Sequence, residues 1–250
     1  WDANFVHKVR KAIIAQFDEE RDMNEIEDAI LHRYNDDCFQ RVIYTESHDE
    51  IANGQARVAE EIADGDVNNW YSKKRASLGV ILVMTTPGIP MIFQGQPLLE
   101  DKWFSDTDPI DWSRLQKFNG YTMLHKDIIQ LRRNTANQTR GLQGQGVQII
   151  RKDQDKKIIV LHRWQDGGPL DSVLIVFNFS DTNIDNYAFG VPREGHWAIR
   201  FNSDSNLYDP HFANGGSSSL DTYVAENDGF DLSISVDIPA YTALIFSQDT

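Results

Sequence analysis

The sequence predicts an α/β segment followed by an all-β domain, on three observations. Apolar residues recur at helical spacing through the first half, two short apolar runs rich in β-branched residues separate those helices, and past residue 134 only strand-like segments remain. At 40% hydrophobic and 25% charged over 250 residues, the chain has the composition of a globular protein with a substantial core.

Phe5, Val6, Val9, Ile13, Ile14 and Phe17 mark a first helix over residues 4–17, and Met23, Ile26, Ile30 and Leu31 mark a second. Residues 41–45, RVIYT, read as a buried strand that runs into the polar string ESHDE. A helix over residues 70–86 becomes almost wholly apolar from Leu78 to Met84 and is stopped by Pro87, Gly88 and Pro90. A second strand follows at residues 89–93. After a loop comes one amphipathic helix carrying Leu115, Phe118, Tyr121, Leu124, Ile128 and Leu131. Strands are then expected at residues 147–151, 157–164, 172–179, 187–191, 196–201, 232–238 and 242–246, alternating in character and sufficient for a β-domain that folds on its own.

The net charge of −14 and the lack of a basic cluster beyond Lys73, Lys74 and Arg75 argue against nucleic acid as a partner. No run approaches the roughly 18 apolar residues of a membrane span. Cys38, the single cysteine, excludes an intrachain disulfide, reads as a packed small hydrophobe, and favours a reducing, cytoplasmic location. The seven histidines lack metal-ligand spacing, so neither a metal nor a cofactor is expected.

Strand, helix, strand, helix with buried strands is the grammar of a parallel α/β barrel, whose functional residues sit at strand ends. Two strands do not make a barrel, and the α/β part is about half of the ~250 residues a complete one takes. The motifs agree. TESHDE, residues 45–50, resembles the segment at the end of the seventh barrel strand of the α-amylase superfamily; PGIPMIFQGQ, residues 87–96, resembles the eighth strand, and LLEDKWFSDTDPIDW, residues 98–112, the loop after it. LHKDIIQLRRN, residues 124–134, is similar to the helix that closes the barrel. The resemblance implies that residues 1–139 are the C-terminal part of a (β/α)8 TIM barrel, about strands seven and eight with flanking helices. Residues 140–250 would then form a C-terminal antiparallel β-sandwich domain.

Members of that superfamily cleave glycosidic bonds with retention, using a nucleophilic carboxylate, an acid/base carboxylate and a polar clamp on the sugar. The resemblance assigns Asp49 the role of transition-state stabiliser and sets His48 beside it on the same sugar. A charge-assisted hydrogen bond donated by a ring hydroxyl to the Asp49 carboxylate would strengthen as positive charge develops on the ring. Gln94 and Gln96 suit sugar hydroxyls or nearby backbone groups, and Trp103 and Phe104 suit either a stacking platform or a loop anchor. Glu46 and Glu50 flank the His-Asp pair, but residues at neighbouring positions of an extended chain point apart, so Glu46 and Asp49 are not expected to converge. Pro97 stands where many relatives carry a glutamate, so that contact does not transfer.

Nothing before Cys38 resembles the motifs that carry the nucleophile and the acid/base, and WDANFVH resembles the sequence just after them. The reading is a truncated chain, a proteolytic piece or one half of a split protein, inactive by itself. Its α/β part is expected to meet the rest of the barrel as a second polypeptide, to dimerise or to rearrange these segments. The stretch at residues 98–112 favours the 1,4-α-glucan-branching group, with an α-amylase-type hydrolase as the alternative. Glycogen, starch or a maltooligosaccharide would be the partner. A non-catalytic glucan-binding protein and a structural β-domain protein without a sugar site are the rivals from other classes.

Overall fold

The computed structural model describes residues 1–248. Helix α1 (Ala3–Ile14) begins at Asp2, whose side chain accepts from the Phe5 N–H at 3.1 Å. The same fully buried carboxylate accepts from Arg41 Nη1 at 3.1 Å and lies 3.1 Å from His32 Nδ1. Burial opposes its ionisation, yet the bonds from His32, the Phe5 N–H and Arg41 hold its pKa below the ordinary carboxylate value. Helix α2 (Met23–Leu31) is capped in the same way by Asp22, which takes the Asn24 N–H at 2.8 Å.

Strand β1 (Val42–Ile43), helices α3 (Val58–Ile62) and α4 (Trp70–Thr85) and strand β2 (Ile89–Pro90) follow. β1 and β2 pair in parallel, Val42 with Ile89 and Ile43 with Pro90. The two expected strands are therefore much shorter than the apolar runs that announce them. Pro90 has no N–H to donate, and on the outer edge of β1 the Asp2 N–H donates to the Val42 carbonyl at 2.9 Å. Among the described residues no third strand joins this pair. Nor is the second run buried on both faces, since Ile89 is 48% exposed and Met91, Ile92 and Phe93 are half-buried. α4 lies close against α1 and the end of β1 through Gly79, where a Cβ would sit 2.7 Å from Ile13 Cδ1 and 3.1 Å from Thr45 Cγ2.

The expected single helix after the second strand is two, α5 (Arg114–Lys117) and α6 (Asn119–Arg132). The break falls at Phe118 (φ −114°, ψ 35°), a non-helical backbone that lets its ring pack at 4% exposure.

A 3-10 turn at Arg140–Gln143 leads into nine strands: β3 (Gly146–Asp153), β4 (Ile158–Trp164), β5 (Val173–Asn178), β6 (Ile184–Val191), β7 (His196–Asn202), β8 (Leu220–Asp221), β9 (Tyr223–Asn227), β10 (Phe230–Ile238) and β11 (Thr242–Ser247). They form two antiparallel sheets, ordered β3-β4-β5-β11-β7-β8 and β6-β10-β9. The sheets face each other over a core containing Ile158, Val160, Leu174, Val176, Phe189, Ile234, Val236, Leu244 and Phe246.

The larger sheet is buried on both faces. Ile159, Leu161, Ile175, Phe177, Phe201 and Ile245 point the other way and join Phe5, Ile26, Leu82 and Leu124 of the helices in one continuous core. This three-layer packing is why β4, β5 and β11 are buried along almost their whole length and carry apolar runs rather than the expected alternation. Polar clamps cross the same seam. Lys74 of α4 donates to Asp204 Oδ1 and to Thr242 Oγ1, each at 2.8 Å, with Lys74 and Asp204 at most 2% exposed. Arg163 of β4 is fully buried and donates to the carbonyls of Gly146 at 2.9 Å and Gly144 at 2.6 Å, and also to that of Thr85 at the end of α4.

Candidate functional site

The residues after β1 divide sharply by environment. Thr45, Glu46 and Ser47 are buried, whereas the side chains of His48 and Asp49 are 51% and 73% exposed. Glu46 turns inward: its Oε2 accepts from Arg57 Nη1 at 2.9 Å and its Oε1 from the Val58 N–H at 3.0 Å. Glu46 and Asp49 therefore do not converge. His48 Nε2 lies 3.2 Å from Asp49 Oδ1, so the imidazole and the carboxylate present themselves to solvent as a pair.

An aromatic floor surrounds that pair. The Trp1 ring stands edge-on to Tyr44 at 5.5 Å and to His48 at 5.3 Å between centroids. Phe104 approaches His48 at 6.5 Å and Phe93 at 5.4 Å. Burial, with the charges of Glu50 and Asp49 adding to it, pushes the Tyr44 phenol above its ordinary pKa, so it stays neutral beside the carboxylates. Glu50 stands 3.4 Å from His7 Nε2 of α1.

Arg57, which the sequence reading passed over, ties this loop to the one after β2. Besides Glu46 it reaches the Gln94 carbonyl at 3.0 Å through Nη1 and the Lys102 carbonyl at 2.8 Å through Nε, and its guanidinium lies 5.7 Å from the centre of the Phe93 ring. The Phe104 N–H donates to the Ile51 carbonyl at 2.7 Å, a second stitch between the loops. Glu100, 6% exposed, holds the later loop by accepting from the Asp101 N–H at 3.2 Å. Neither Arg57 nor Glu100 has a periodic signal; the partners of Arg57, Glu46 and the carbonyls of Gln94 and Lys102, are brought near only by the fold.

The proposed sugar contacts separate into two kinds. Gln94 and Trp103, the latter 48% exposed, share a shallow cleft with Arg57, Lys102 and Phe104, and Phe104 carries that cleft to His48. Gln96 instead points inward at 9% exposure. Its Nε2 donates to Thr45 Oγ1 at 2.8 Å and its Oε1 accepts from the Phe93 N–H at 3.2 Å. That amide braces the two strand ends against each other and does not line the cleft. Gly95, at φ +79° and with only 2.8 Å between a built Cβ and Glu100 Cβ, makes the turn that sends Gln94 outward and Gln96 inward.

Removing Arg57 should be costly because it leaves the buried Glu46 carboxylate without its cation. Arg57→Met is expected to lower stability by about 3–5 kcal/mol, read as a fall in the urea midpoint. An unchanged midpoint would show that the Arg57–Glu46 pair does not hold these loops.

Comparison with known proteins agrees with this architecture. Residues 149–249 match the family model for the alpha amylase C-terminal all-beta domain. A 1,4-alpha-glucan branching enzyme of Prochlorococcus marinus is 27% identical over 206 residues, 81% of this chain and 27% of that protein. One from Pseudomonas fluorescens is 26% identical over 232 residues, 91% of this chain and 30% of that protein. The chain thus spans under a third of the length of these relatives. Among solved structures, the pullulanase of Anoxybacillus sp. LM18-11 complexed with maltotetraose superposes with a TM-score of 0.64, covering 99% of this chain and 35% of that one at 16% identity, which bears on the fold alone. The chain thus ends in a segment, residues 149–249, that matches the alpha amylase C-terminal all-beta domain. More particularly, it is a distant homologue of the 1,4-alpha-glucan branching enzymes over most of its length.

Proposed function

We propose that this chain is part of an α-glucan-active retaining enzyme and supplies its transition-state-stabilising carboxylate, Asp49, with His48 beside it. The observation that carries the reading is the solvent-facing Asp49–His48 pair, 3.2 Å apart, at the end of β1 and over an aromatic floor. An ionised carboxylate accepts bonds from sugar hydroxyls, the imidazole can donate one, and Trp103 offers a face for a pyranose. In this reading β1 and β2 are the seventh and eighth strands of a (β/α)8 barrel. The half-exposed Ile89 then faces apolar groups of barrel elements supplied from outside residues 1–139.

Catalysis would run through a glycosyl-enzyme formed on a carboxylate that this chain does not provide, with Asp49 stabilising the oxocarbenium-like ring on either side of that intermediate. Branching is favoured over hydrolysis by the named function of the sequence relatives, and the two differ only in whether a glucan 6-hydroxyl or water takes the sugar. Incubated with amylose, the complete enzyme should lower iodine staining and create α-1,6 linkages without a matching rise in reducing ends. A proportionate rise in reducing ends would make it a hydrolase. The purified 250-residue chain should be inactive in the same assay, and sustained turnover by it would refute the proposed division of the active site.

A further inference from the structure

A second surface feature lies at the start of α5, beginning two residues past Ile110, and shares no lining residue with the Trp103 cleft. Trp112 is 69% exposed and Leu115 41%. With Ser113, Gln116 and Asn119 they line an open hollow of about 490 Å³. Trp112 precedes α5, Leu115 and Gln116 lie on it and Asn119 opens α6, so the hollow sits at the junction of these elements. The intervening Arg114 turns inward and donates to the Leu98 carbonyl at 3.2 Å and to Asp101 Oδ2 at 2.8 Å, while Lys117 lies over the Phe118 ring at 4.9 Å.

The lining is chemically specific. A quarter of the residues in this chain are charged, yet none lines the hollow. The side-chain amides of Gln116 and Asn119 have no protein partner among the described residues, so both are open to a ligand. An exposed indole beside a leucine, two unengaged amides and a hydroxyl suits a neutral ligand with one apolar face and a rim of hydroxyls. Ionic ligands would find no countercharge there. A pyranose meets that description.

We propose that this hollow is a glucan-binding site separate from the Asp49 cleft, in which the Trp112 indole stacks on a glucose face while Gln116 and Asn119 bond its hydroxyls. The choice of glucan among neutral sugars rests on the proposed function; the location and chemistry of the site do not. Such a site would hold the polymer on the protein between encounters at the catalytic cleft and raise the effective concentration of chain ends there.

The test uses the 250-residue chain in native gels with and without glycogen, with the variants Trp112→Ala and Trp103→Ala run beside it and thermal melts recorded for each. Glycogen should retard the unaltered chain, and Trp112→Ala should weaken that binding at least about tenfold with no change in melting, since the side chain is mostly solvated. Retardation that survives Trp112→Ala but is lost in Trp103→Ala would put the glucan in the Asp49 cleft, overturning this inference and leaving the proposed function intact. Absence of retardation in the unaltered chain would also overturn it, and would mark the hollow as a surface covered by other parts of a longer protein.

Discussion

Asp49→Asn, made in the complete enzyme, is expected to lower kcat on amylose by about 10²–10³-fold while KM changes little. The substitution keeps the shape and removes the charge, and the charge matters most when the sugar ring becomes positive, so the loss falls on the transition state rather than on substrate binding. Folding should be unaffected, because the side chain is 73% exposed and its neighbour His48 is itself 51% exposed. Arg57→Met is the contrasting case: it acts through the loops and should reduce stability as well as activity. An Asp49→Asn enzyme within about threefold of the unaltered rate would make Asp49 an ordinary loop residue.

Residues 140–250 expressed alone are expected to lack a cooperative thermal transition. The sequence suggests a self-sufficient β-domain, but its larger sheet is buried on both sides. Separation from the helices uncovers Ile159, Leu161, Ile175, Phe177, Phe201 and Ile245. At about 1.5–3 kcal/mol for each large apolar side chain, the exposed face costs on the order of 10 kcal/mol, comparable to the whole stability of a typical domain, about 5–15 kcal/mol. Asp204 would also lose Lys74, and Arg163 its bond to Thr85. Circular dichroism with heating reads the result. A sharp transition near that of the intact chain would mean that the seam contributes little and that the boundary near residue 140 separates independent units.

Elements whose stability is local or whose burial is complete were legible in the sequence. α1 and α2 follow from their apolar spacing, α4 from its apolar stretch and the Pro87, Gly88 and Pro90 that stop it, and β4, β5 and β11 from their apolar runs. Unbroken runs also held the clue to the third layer, since a sheet with one wet face would have shown polar residues at every second position. What escaped depends on distant partners. α3 has only five residues, too short for a period to register, and β9 is a short, mostly exposed edge strand defined by its pairing with β10. Phe118 breaks a helix that its neighbours would have continued.

At the site, the His48-Asp49 motif could be read because the two residues are adjacent in the chain. The inward role of Gln96 could not, since it depends on Thr45 and Phe93 meeting at the strand ends. The hub at Arg57 was hidden for the same reason: Glu46, Gln94 and Lys102 are far apart in sequence and converge only after folding.

The central claim is that Asp49 grips the reacting sugar. It is tested most directly by a crystal structure of the complete enzyme with its glycosyl intermediate trapped by a slow-reacting fluorinated sugar. The account predicts the Asp49 carboxylate within about 3 Å of hydroxyls on the trapped sugar, with His48 alongside and the aromatic floor beneath. A trapped sugar beyond hydrogen-bond reach of Asp49, clamped by a different carboxylate, would contradict it.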